Sequence, residues 1–104
     1  MRWFQYVLAY ASGFFLADFV PHFVSAVLGM RFPSPFSDPP AVGLSSPEIN
    51  VLVAFVYLAV AYALFRRSKV QFSDAAGMSA VYLGMLSCGV ILSVVISANE
   101  NLNL

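Results

Sequence analysis

Asp18 and His22 are the residues of this chain best suited to chemistry: a carboxylate and an imidazole four positions apart in a run of apolar and small residues. On a continuous helix such a pair shares one face, although Pro21 between them is expected to bend that geometry. Two chemistries fit. A carboxylate favours the protonated imidazole, which makes a proton-linked pair. The same two side chains also resemble half of a metal site, but one histidine and one acid are too few for a closed site in a single chain. Only an oligomer or a partner could complete it, so no metal is expected of the chain alone. The plainer alternative is structural: Asp18 accepts hydrogen bonds from amides freed around Pro21, or caps the half-helix that follows. Ser45 and Ser46 complete the residue types of a catalytic triad, yet a triad is a matter of geometry, and serines are frequent here. His22 is the only histidine, and there is no C-x-x-C, phosphate loop or nucleophile elbow. No catalytic residue and no cofactor is expected. Tyr6, Tyr10, Tyr57, Tyr62 and Tyr82 could touch a pigment, quinone or lipid, but tyrosine is ordinary in membrane spans and at their interfaces.

The elements that must position these groups are apolar and long. Met1–Val20, Asn50–Phe65 and Ala75–Ala98 are each about a bilayer thickness, given roughly 20 residues per span at ~1.5 Å rise. Hydrophobic residues make up 61% of the 104 and charged residues 10%, against roughly 45–50% and 25% in soluble domains. The expected fold is all-α: one integral membrane domain, 1–104, with three transmembrane helices at about 3–30, 47–67 and 74–98. The first is kinked or broken at Pro21, and a proline-rich outer loop covers 31–46. Trp3 is a plausible interfacial anchor. Counted from Trp3, Asp18 lies ~22 Å along the span, near the outer interface. Ser45-Ser46-Pro47-Glu48 reads as a helix start, and Ser73 or Asp74 as the cap of the third helix. Arg2 followed by an apolar run and Ala9-Tyr10-Ala11 resembles a signal peptide only weakly, so the first span is expected to be retained.

Charge sets the orientation. Arg2, Arg66, Arg67 and Lys69 fall on one side of a three-span chain, opposite Arg31, Asp38, Glu48 and Glu100. The positive-inside rule then puts the N-terminus in the cytoplasm and the C-terminus outside. Zero net charge argues against a nucleic-acid partner. The lone Cys88 excludes an internal disulfide and indicates no redox compartment. Small residues mark packing faces, since close backbone approach drives helix association in lipid. Ala76, Ala80, Gly84 and Cys88 form one such face on the third helix, with Gly89, Ser93 and Ser97 on an adjacent one. Ala9, Gly13 and Ala17 do the same on the first.

Between His22 and Asn50 runs P-H-F-x-x-x-x-x-G-x-x-F-P-S-P-F, then D-P-P-x-x-G-L-S-S-P-x-x-N. This segment resembles a pattern of small bacterial membrane proteins of similar length. The resemblance covers Pro21 to Asn50, marks His22, Gly29, Phe32, Pro33, Pro35, Phe36, Ser45, Ser46, Pro47 and Asn50, and implies a bacterial inner membrane but no chemistry. Physically the loop could be ordered: its prolines reduce the entropy lost on fixing it, and Phe32 and Phe36 can anchor it in the interface. Asn50 with Ser45 or Ser46 could face His22 across the outer mouth.

Two function classes remain. One is a non-catalytic accessory or assembly subunit, partnered by membrane lipid and by other membrane-protein chains or copies of itself. The other is a homo-oligomeric proton, ion or small-solute pathway through Asp18 and His22, because discontinuous helices commonly hold such sites.

Overall fold

Three different N-terminal devices start the three helices. The Arg2 backbone N–H donates to Gln5 Oε1 at 2.9 Å while Gln5 N–H donates back to the Arg2 carbonyl at 3.0 Å, opening α1 (Trp3–Val27). Ser46 Oγ accepts from Ile49 N, and Pro47 takes the first turn of α2 (Pro47–Ser68), where its missing N–H leaves nothing unpaired. Of the two cap candidates for the third helix it is Asp74 that serves, accepting from Gly77 N at 3.2 Å to start α3 (Ala75–Ser97). The computed structural model describes residues 2–102, and a short 3-10 turn, Glu100–Leu102, ends them. All three helices are long and apolar enough to cross a membrane. The chain is a small multi-pass helical membrane protein.

α1 is not divided at Pro21. It runs unbroken to Val27, three residues short of the expected end. Pro21 removes one backbone donor, a loss that membrane helices tolerate, whereas Gly29 provides a true stop. At φ 72° Gly29 takes the left-handed turn, its N–H donates to Ala26 O at 3.0 Å, and Met30 N–H reaches Ser25 O at 2.8 Å. That paired closure of the last carbonyls needs a residue without Cβ strain.

α1 is the central element. Both α2 and α3 pack on it, and among the described residues α2 and α3 do not pack on each other. The α1–α3 contact is a backbone approach through glycine. A Cβ on Gly13 would lie 2.0 Å from the Val81 carbonyl oxygen, and one on Gly84 would lie 1.9 Å from that of Tyr10. Gly77, Val81, Gly84 and Cys88 form the buried face of α3. The expected stripe is therefore corrected in its first half: Ala76 is exposed and Ala80 half-buried. Successive steps of four advance about 40° around a helix, so Ala76 has rotated well off the face that Gly84 and Cys88 share. Mixed steps of four and three hold that face together. On α1, Ala9 and Gly13 are buried and Ala17 is half-buried.

Gly84→Ala is expected to destabilise the fold by about 1–3 kcal/mol, because the added methyl meets backbone that cannot step aside. Gly89→Ala, which meets nothing within 4 Å, is the matched control. Thermal midpoints of the two variants in the same detergent decide it: equal midpoints would refute the tight α1–α3 crossing.

Candidate functional site

At the end of the bundle away from Arg66, loop residues 31–46 fold back on themselves before reaching α2. Phe32 and Ser45 form an antiparallel bridge, with Ser45 N donating to Phe32 O at 2.9 Å and Phe32 N to Ser45 O at 3.3 Å. Inside the loop Ser34 is the organiser. Its carbonyl accepts from Ala41 N at 2.8 Å and from the Ser37 hydroxyl at 2.6 Å, and its hydroxyl lies 2.6 Å from that of Ser45.

Asn50, one turn into α2 and fully buried, joins this loop to α1. Its Nδ2 donates to Phe32 O at 3.0 Å and to Ser45 O at 3.2 Å, the two carbonyls of the bridge, with Ser46 O also at 3.2 Å. Its Oδ1 lies 2.8 Å from His22 Nδ1. The amide orientation follows from the acceptors, since the opposite flip would point an oxygen at three carbonyl oxygens. An amide oxygen only accepts, so the proton between the two residues belongs to His22 Nδ1. The histidine tautomer is thereby set by Asn50.

The other ring nitrogen is then the one that meets the carboxylate. Nε2 faces Asp18 Oδ1 at 3.6 Å. With Nδ1 already a donor, a neutral imidazole presents a lone pair to the carboxylate. The pair becomes attractive when it holds one more proton, on Nε2 or on Asp18. His22 and Asp18 remain on one face despite Pro21, because the helix continues through it. The rings of Phe32 and Tyr57 meet the His22 ring edge-to-face, each with centroids 5.3 Å away. A cavity of about 130 Å³ opens here between α2 and α3, lined by Asp18, His22, Pro33, Ala41, Tyr57 and Ile96 among others. His22 is 4% exposed, and the Asp18 side chain, at 18%, is the more accessible partner.

The sequence candidates thus separate. Asp18, His22, Phe32, Ser45 and Asn50 meet in one network. Ser46 instead caps α2 and its hydroxyl does not reach His22. Phe36 points away from the protein at 77% exposure, with Pro35 exposed beside it, whereas Pro33 is buried. Four participants were missed in the sequence. Ser34 carried no signal beyond its place between two prolines, and Tyr57 reads as one aromatic among many. Asn99 and Asn101 read as a polar tail, but their Nδ2 atoms donate to Val42 O at 2.9 and 3.2 Å, tying the loop to the end of α3. Among the described residues no three His, Cys, Asp or Glu side chains gather as a metal site would require. Compared with protein-family models, curated proteins and solved structures, the chain matches none.

Asn50→Ala is expected to leave His22 Nδ1 without its acceptor, at about 1–3 kcal/mol if that group stays dry, and to leave the bridge carbonyls held only by each other's backbone N–H groups. The loop should then be cut by added protease many times faster than in the parent protein. Asp18→Asn keeps the Asn50 network and should leave the cleavage rate near parental. Equal protection of Asn50→Ala and the parent would show that Asn50 does not hold the loop.

Proposed function

We propose that this chain is a non-catalytic membrane subunit that assembles with other membrane-protein chains or with copies of itself. The observation that carries the reading is how little the three helices cover one another. In the most apolar window of each span only 22, 22 and 17% of residues are buried. On α3 the face of Gly89, Ser93 and Ser97 is exposed, and a Cβ at Gly89 would meet nothing. Small exposed residues permit close approach by another helix. The His22–Asn50 network fits a building role, since its bonds hold a loop in place. A bacterial inner membrane is part of the proposal, and Arg2, Arg66, Arg67 and Lys69 support a cytoplasmic N-terminus.

A proton pathway is the second reading, favoured by the Nε2 face of His22 and the more accessible Asp18. Against it stands the lining. The hydroxyls of Ser79, Ser87, Ser93 and Ser97 each donate to a carbonyl one turn back on α3. They offer no continuous polar track.

Native mass spectrometry of the protein taken from its host in mild detergent tests the proposal. Expected is a complex of fixed stoichiometry, with unrelated membrane chains or with itself; a bare monomer would overturn it. Proteoliposomes separate the second reading: their proton leak is expected to equal that of empty vesicles. A leak abolished by Asp18→Asn would install the pathway instead.

A further inference from the structure

The unpacked gap between α2 and α3 forms a groove at the opposite end from His22. Its volume is about 390 Å³, within the range of small-molecule sites, roughly 300–1,000 Å³. Leu16 and Ser12 of α1 lie along its floor, Leu58 and Tyr62 on one wall, Tyr82 and Met85 on the other. The only hydroxyl on the floor is silenced, because Ser12 Oγ donates to Ala9 O at 2.7 Å. The groove wants hydrocarbon.

Its end is different. Phe65 and Phe72 stack with centroids 5.6 Å apart and line both this groove and an adjoining cleft of about 430 Å³. That cleft adds Arg66, Lys69 and Gln71. Arg66 is held on the groove wall: one guanidinium N–H donates to Tyr62 Oη at 2.9 Å, and the group lies 5.8 Å from the Tyr62 ring centroid. This leaves its other donors free of any described side chain. Among the described residues neither Arg66, Arg67 nor Lys69 is in a salt bridge. The single acid at this end, Asp74, is committed to the start of α3. Four basic residues, Arg2 included, therefore face one carboxylate across an interface.

We propose that groove and cleft together bind one anionic phospholipid, an acyl chain between α2 and α3 and the phosphate against Arg66 and Lys69. Charge complementarity selects the occupant. A phosphodiester supplies the missing negative charge at the bilayer surface, and its own chain enters the apolar groove from there. Basic recesses between membrane helices are suited to such headgroups. A neutral zwitterionic lipid fills the groove equally well but brings no net charge to the cleft.

The test is native mass spectrometry of the full chain after exposure to mixed micelles of phosphatidylglycerol and phosphatidylcholine at equal amounts. Expected is one retained lipid per chain, phosphatidylglycerol being favoured on the order of tenfold. Arg66→Gln with Lys69→Gln should equalise the two lipids, while Arg31→Gln at the far end should leave the preference intact. Leu16→Trp, filling the floor, should release both. No preference in the parent protein, a preference that survives loss of Arg66 and Lys69, or a second copy of the chain in place of lipid would each overturn the proposal. Both basic side chains are exposed, so the double variant decides the matter even if Leu16→Trp fails to fold.

Discussion

The carboxamide of Asn50 is the point on which the loop half of this protein depends. The Phe32–Ser45 bridge pairs its own two carbonyls with two backbone N–H groups, but it stands alone with no neighbouring ladder to hold it. Asn50 reaches both bridge carbonyls with one nitrogen and binds His22 with its oxygen. One side chain thereby links the loop to α1 and α2, while Asn99 and Asn101 carry the same loop to α3. A loop with so many prolines loses little entropy on ordering, which makes a few well-placed bonds sufficient. Its position across the bundle end follows from those bonds, while the Pro39 carbonyl, accepting from Val42 N, Gly43 N and the Ser37 hydroxyl, shapes the loop from within.

The second constraint is the central position of α1. A three-helix unit in which, among the described residues, two helices do not pack on each other depends on the quality of the remaining contacts. At the α1–α3 crossing that quality comes from absent side chains: Gly13 and Gly84 let carbonyl oxygens approach where any Cβ would stand. At the α1–α2 contact it comes from aromatic and polar groups instead, with Phe15 and His22 both against Tyr57. The two interfaces differ because hydrocarbon solvent rewards dense van der Waals contact and satisfied polar groups, and gives no credit for hydrophobicity alone. Continuity of α1 through Pro21 matters for both, since a break there would carry His22 away from Asn50.

Much of this was legible in the chain. Length and apolarity determine the helices, and caps such as Ser46 and Asp74 are local signals that need no tertiary knowledge. Asp18 and His22 stood out because ionisable groups are rare in spans, and Asn50 because it falls one turn into a helix near a histidine. The misses share a cause. Pro21 looks like a breaker to any local rule, but a helix ends where its carbonyls find new partners, and Gly29 does that. The rotation of α3 depends on which face meets Gly13, so a stripe of small residues counted in fours could not show that Ala76 lies outside. Ser34 and Asn99 act through partners 11 and 57 positions away, a distance no periodicity reports.

The two ends of the molecule have opposite chemical character, and α2 and α3 stand apart at each. At the loop end the gap closes into a small cavity beside Asp18, where the number of protons on one imidazole–carboxylate pair decides whether the contact attracts. At the other end it widens into an apolar groove under unpaired cations. Asn50 is what makes the first end asymmetric: by committing Nδ1 it leaves Nε2 as the nitrogen that faces Asp18. A histidine free to switch tautomers would let a neutral ring donate to Asp18. With Nδ1 committed, a neutral ring turns a lone pair toward the carboxylate across the 3.6 Å contact. The same bond that holds the loop therefore also determines how His22 meets Asp18, and structure and proton chemistry at this site are not separable.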